Sequence, residues 1–233
     1  MKVHHLAMLL TAVLAACAAA RADLPRGVEA RIRKAWEAQT GLRADVRLSA
    51  MMQAGVHLLQ VTGEGTLEVL RDEDTERWRQ VLTVSIPDPV GAESRHVAVF
   101  DGETLRLTSG VLGREETVEA PNDIGRGVAP PGGAPLLEAL EAGLTLNLLR
   151  EDAVDGRAVY VIEGLPKGGA GEFTRGVFYI DQATGLQLRQ EIYADQNLAP
   201  RVVILVEKVQ VGAAVDPGVF AADGAGDEAP AGE

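Results

Sequence analysis

The sequence predicts a mainly-β protein: one large antiparallel sheet with two helices to cover it. The clearest sign is Phe173–Tyr193 (FTRGVFYIDQATGLQLRQEIY). Val177, Phe178, Tyr179 and Ile180 are β-branched or aromatic, as a pleated strand favours. Asp181-Gln182-Ala183-Thr184-Gly185 then supplies turn chemistry, because an Asp bonds backbone two residues on and Gly tolerates positive φ. Leu186–Ile192 returns with apolar and polar residues at period two, so the stretch reads as a hairpin with one buried and one wet face. The second observation is that this hairpin rhythm recurs along the chain. The third is that only two stretches carry helical spacing.

Met1–Ala22 reads as an export leader and takes no part in the fold. Lys2 gives a positive start, and Leu6–Ala16 is an apolar run too short to span a membrane. Two processing readings stand. Ala20-Arg21-Ala22 is a small-residue site that would release a soluble protein beginning at Asp23. Leu14-Ala15-Ala16-Cys17 resembles a bacterial lipobox, with Cys17 the candidate for acylation. Both place the mature protein outside the cytoplasm, in the periplasm or on the outer membrane. Cys17 is the chain's one cysteine, so no internal disulfide is expected despite an oxidising compartment.

Residues 23–220 are expected to form one domain, and 221–233 a small, acidic, disordered tail. Leu24–Thr40 reads as the first helix. Pro25 suits its first turn, Val28, Ile32 and Trp36 fall on one stripe, and Gly41 stops it. With Arg26, Arg31, Arg33 and Lys34 around that stripe, it could touch a membrane or pack on the sheet. Leu42, Ala44, Val46, Leu48 and Ala50 alternate with polar residues as a half-buried strand. Val56–Val61, Gly65–Arg71, Trp78–Ile86, Val97–Phe100, Thr104–Thr108 and Glu115–Ala120 supply further strands. Pro121–Pro135 is a Gly/Pro-rich loop. The second helix is expected over Leu136–Leu149, with Gly143 a possible early end. Strands resume at Ala158–Ile162 and close with Arg201–Val211.

Composition excludes several functions. A formal charge of −12 argues against nucleic acid, which needs clustered Lys and Arg, and against an anionic membrane. After the leader only His57 and His96 remain, neither with a second His or Cys at ligand spacing, and each reads as a plain strand or turn residue. No nucleophile elbow surrounds a serine, and Asp72–Glu76 lacks the pattern of a calcium loop. No enzyme, metal or cofactor is expected. What remains is apolar strand surface. Two helices must cover about ten strands, so a curved sheet either encloses a cavity suited to acyl chains or is filled by its own side chains.

The order of elements resembles the periplasmic outer-membrane lipoprotein carrier family (LolA/LolB-like) over roughly residues 24–223. The likeness is carried by Gly65-Thr66-Leu67-Glu68-Val69-Leu70-Arg71, Arg77-Trp78-Arg79, Val99-Phe100-Asp101-Gly102-Glu103-Thr104-Leu105, Val159-Tyr160-Val161, the Asp181–Gly185 turn and Val215–Phe220. The resemblance implies an open half-barrel, its two helices forming a lid over a hydrophobic concavity. It implies a monomer that binds acyl chains of lipoproteins or lipid, with an inner-membrane releasing complex and an outer-membrane acceptor as partners. An anchored acceptor and an envelope-stress sensor are the alternatives within the same fold. Val46, Leu48, Leu67, Val69, Leu82 and Val84 are the candidate cavity positions on the strands, on a side of the sheet left open. Leu136, Leu137 and Leu140 are those on the lid. Arg71 falls where the carriers place an arginine that bonds lid backbone. Asp72 stands where a proline commonly follows, and could hold Arg71 as a surface ion pair instead.

Overall fold

The computed structural model describes residues 24–54, 57–72, 75–87, 91–111, 114–121, 130–168, 173–194 and 199–221. The leader with Cys17, and the tail from residue 222, lie outside the described residues.

The chain begins with helix α1 (Arg26–Glu37), whose buried stripe is Val28, Ile32 and Trp36 as the spacing requires. Six strands follow as an antiparallel meander: β1 (Gly41–Ala54), β2 (His57–Arg71), β3 (Glu76–Ile86), β4 (Ala92–Phe100), β5 (Thr104–Val111) and β6 (Arg114–Pro121). Helix α2 (Gly133–Gly143) leads into a second meander of β7 (Leu144–Val154), β8 (Arg157–Pro166), β9 (Arg175–Asp181), β10 (Gln187–Tyr193) and β11 (Val202–Val211). A 3-10 turn, Pro217–Phe220, follows.

The two meanders join where β11 pairs with β1, giving eleven strands in the order β6-β5-β4-β3-β2-β1-β11-β10-β9-β8-β7. β6 and β7 are the two ends, so the sheet is an open half-barrel as expected. Bulges interrupt the pairing of β1 with β11, β9 with β10 and β7 with β8. Such irregularities bend a strand and increase its twist. Gly65 marks the tightest approach: a Cβ there would lie 1.8 Å from the Val81 carbonyl oxygen, so no other residue fits without moving β3.

One expectation is corrected in part. The helix read over Leu136–Leu149 is Gly133–Gly143, ending at the glycine that offered an early stop, and Leu144–Val154, which was not read as a strand, is one. Leu140 and Leu144 are four apart and suit one helix face, which is why the run looked continuous. Beyond Gly143, however, Leu144, Leu146 and Leu148 alternate with Thr145 and Asn147, and this half-turn period pairs with β8.

The apolar residues form two clusters. One gathers Leu24, Val28 and Ile32 of the N-terminal segment, Leu136, Leu137 and Leu140 of α2, and Leu144, Leu146, Tyr160, Ile162, Phe178 and Ile180 from β7–β9. The larger one runs through the face of β1–β5 that carries Leu42, Val46, Leu48, Leu67, Leu82 and Val84, and takes from the helices Trp36. Register carries this face continuously from β1 through β11 and β10 to the side of β9 and β8 that the helices cover. It is the inner face of the half-barrel. The opposite face of β1–β3 is charged, with Arg43 and Arg79 both paired to Glu68 at 3.0 and 3.5 Å.

Candidate functional site

Strand register decides which side chains share the inner face. Val46, Gly65, Leu82, His96 and Ser109 lie in one row across β1–β5, and Leu48, Gly63, Val84 and Ser94 in the next. Leu67 and Val69 occupy the two rows toward the helix end, beside Gln80 and Trp78. All six strand positions singled out from the sequence therefore face the same way, which answers the question of side. Their exposure is 4% or less, so they form a packed floor rather than the wall of an open hole.

The accessible part of the inner face lies on either side of that floor. Ala50 of β1 and Val202, Ile204 and Val206 of β11 are half-buried and pack on the same cluster, as do Ala92, Phe100 and Leu107 of β4 and β5. Sequence reading missed these residues. Val202–Val206 is apolar at both parities, so alternation cannot say which of its side chains turn inward. From the Leu42–Val69–Trp78 row to the Ala50–Val61 row, the inner positions of β1–β5 carry no Asp, Glu, Lys or Arg. Their polar members are Gln80, Ser94, His96 and Ser109.

The lid leucines stand elsewhere. Leu136 and Leu137 at 0% and Leu140 at 1% exposure pack with α1 on β7–β9 and do not meet the six floor residues in one cluster. The leucines of α2 and Val28 and Ile32 of α1 are thus spent on one half of the inner face, and of the two stripes only Trp36 packs with the floor.

Trp36 links the two halves. Its indole Nε1 donates to Glu76 Oε2 at 2.7 Å, while Arg71 Nη1 donates to the Trp36 carbonyl oxygen at 2.9 Å. Arg71 Nη2 stands 3.3 Å from the same Glu76 carboxylate. Arg71 therefore bonds backbone of α1. Its ion-pair partner is Glu76 and not Asp72, which pairs with Arg77. Arg71 sits on an inner position opposite Glu76, whereas Asp72 has already left the strand. Burial pushes the Glu76 carboxyl above its ordinary range, opposed by the Trp36 hydrogen bond and the Arg71 charge. The ring of Trp36 is further held by Gly133 (φ 62°), where an added Cβ would lie 2.2 Å from the indole. Backbone bonds from Gly133 to Gly185 and from Gln187 to Pro131, at 3.1 and 2.9 Å, tie the start of α2 to the β9–β10 turn.

A groove of about 760 Å³ opens beside this junction, lined by Glu37, Gln39, Thr40, Gly41, Leu70, Arg71, Asp72 and Ala213–Val215. Its mixed polar lining does not suit an acyl chain. Among the described residues no three His, Cys, Asp or Glu side chains are grouped to hold a metal ion, and no helix is long and apolar enough to cross a membrane.

No family model matches the chain, and no curated protein matches it in sequence. Solved structures are similar to it in fold. An uncharacterized conserved protein from Thermus thermophilus shares 13% identity at TM-score 0.47, over 82% of this chain and 88% of that one. The lipoprotein LppX of Mycobacterium tuberculosis shares 12% at 0.43, over 83% and 99%. A LolA superfamily protein from Nitrosomonas europaea shares 13% at 0.29, over 84% and 98%. At such identities and scores none of these likenesses bears on what this chain binds.

Proposed function

We propose that this protein is a non-enzymatic binding protein of the bacterial cell envelope that holds the acyl chains of a lipoprotein or lipid against the inner face of its sheet. The observation that carries this reading is the uncharged stretch of inner face on β1–β5 and β11, where half-buried aliphatic side chains are left over after the leucines of α2 and Val28 and Ile32 of α1 have packed on β7–β9. Each methylene moved from water onto such a surface contributes about 0.8 kcal/mol without directional bonds, so a plain hydrocarbon chain is the guest it suits.

In the state described here the floor is closed. A guest enters between the floor and the helices when α1 lifts from the β2–β3 end, and water is excluded again as it returns. Arg71 and Glu76, which hold the Trp36 end of α1, are the latch for that movement. The exported leader puts the protein in the periplasm, where it would take cargo from a releasing complex and pass it to an acceptor. Acylation at Cys17 would instead make it the tethered receiver. Mass measurement of the mature N-terminus separates these two.

The binding itself is tested by native mass spectrometry of protein purified from the cell envelope. Co-purified lipid is expected on the wild type. It should fall at least tenfold in Ile204→Glu, which places a charge on the accessible part of the face, and remain in Ile204→Leu. Equal lipid on all three, or none on the wild type, would sink the proposal.

A further inference from the structure

The uncharged inner face has a polar island. His96 of β4 sits with its Nε2 2.9 Å from Ser94 Oγ and its Nδ1 3.0 Å from Ser109 Oγ of β5. Ser94 is 2% exposed, whereas His96 and Ser109 are half-buried and lie on the accessible flank beside Leu107 and Phe100. Three polar side chains among aliphatics cost stability unless they are satisfied, and here they satisfy one another.

They do not, however, use all their valences. A neutral imidazole has one N–H and one acceptor nitrogen, so one serine donates to the ring and the other accepts from it. Among the described residues the Ser94 hydroxyl has no partner but His96. If Ser94 were the accepting serine, its own hydrogen would be buried with nowhere to go. The arrangement that avoids this has Ser94 donating to Nε2 and Nδ1–H donating to Ser109. Among the described residues that leaves the hydroxyl hydrogen of Ser109 without a partner, on the accessible side. Burial also holds the ring below the ordinary histidine range and therefore uncharged near neutral pH.

We infer that Ser109, set by His96 and Ser94, is a head-group anchor that donates a hydrogen bond to the ester carbonyl of an acylated glycerol whose chain lies on the inner face. The inference rests on the acyl-binding reading above and names its ligand class. A free carboxylate or phosphate suits the site poorly, because no cation occupies an inner position of β1–β5 between the Leu42 and Ala50 rows and the β6 residue paired with Ser109 is Glu116. Ester cleavage suits it no better, although Ser94 and His96 stand at nucleophile-to-base distance. The Ser94 oxygen is closed off, and β4 is paired on both sides, so its backbone N–H groups serve the ladder rather than a developing oxyanion.

Displacement titrations with the full mature chain test this. The probes are N-phenylnaphthylamine, which has no ester, then monodecanoylglycerol and decanoate as competitors. The wild type should bind the dye and prefer the glycerol ester over the carboxylate by about tenfold. Ser109→Ala and His96→Phe should each weaken the ester about five- to tenfold while leaving dye binding, which also reports the fold, unchanged. The imidazole nitrogen resonances of His96 should move on adding the ester and not the dye. If both variants bind dye and ester as the wild type does, the anchor is overturned and the apolar reading stands. If the wild type binds no probe, the apolar reading falls and takes the anchor with it.

Discussion

Trp36, Arg71 and Glu76 show how one side chain settles the neighbourhood of another. The Glu76 carboxylate is half of an ion pair and also the acceptor for a buried indole N–H. Glu76→Ala strands both donors and should cost about 1–3 kcal/mol in urea unfolding. Glu76→Gln keeps an acceptor for the indole and removes a desolvated charge, so its loss should stay under about 1 kcal/mol. Similar losses in the two variants would mean that the Arg71 charge, not the indole bond, dominates. His96 gives the residue-scale pH test. Its folded pKa lies below the ordinary 6.5 because burial disfavours the imidazolium. The unfolded chain therefore takes up a proton first, and the stability that the neutral ring contributes is lost as pH falls through about 6.5 toward the folded value. Glu76 acts with the opposite sign, since its raised pKa makes the fold hold a proton more tightly as the pH is lowered. The two separate by comparison with His96→Gln: melting temperature should drop less in that variant than in the wild type between neutral pH and about 5.5.

At the scale of elements the lid is held at two points of different kind. Val28 and Ile32 attach α1 through apolar packing on β7–β9, while the Trp36 end is held by Arg71 and Glu76 and by the start of α2. Arg71→Met leaves the apolar packing in place and removes from the second point the bond to the Trp36 carbonyl and the Glu76 ion pair. Amide exchange should then quicken over Arg33–Glu37 and remain slow in β8–β10, whereas uniform quickening would deny that α1 opens as a unit. Gly133→Ala works on the same joint from the other side. It meets both a positive φ and the indole, and should cost about 2 kcal/mol or more in urea unfolding. These joints were not legible in the sequence, though the elements were. Alternation in Leu42–Ala50 and Leu67–Val69 carried the strands and their buried parity, because one wet face writes itself at period two. The spacing of Val28, Ile32 and Trp36 carried α1. Gly143 marked the end of α2, but the strand after it was missed, because leucines four apart satisfy a helix while three leucines two apart satisfy a strand. Arg71 was identified as a candidate, but its partner was not: Asp72 is its neighbour in sequence and Glu76 its neighbour across the hairpin.

The whole molecule is two meanders closed by a single long-range seam, β1 against β11, with its helices gathered over one half. That asymmetry is what the acyl-binding proposal needs, and it explains why the site was only half readable. The floor residues Val46, Leu48, Leu82 and Val84 announce themselves by alternation, whereas the accessible aliphatics on β11 and the Ser94–His96–Ser109 island exist only once five or six strands are in register. On the outer face of β1–β3 Glu68 stands between Arg43 and Arg79, while the inner positions of β1–β5 from the Leu42 row to the Ala50 row carry no charge. Two outcomes then oppose each other at this scale. If the closed floor is permanent, a guest touches only the half-exposed rim, and lengthening its chain adds nothing. If the floor parts from the helices, each added methylene should be covered and raise affinity about fourfold, until the chain outruns the inner face. A series of monoacylglycerols from medium to long chain, titrated against the same dye, distinguishes them: a steep rise ending in a plateau is expected, and a flat series would identify the interior as core and nothing more.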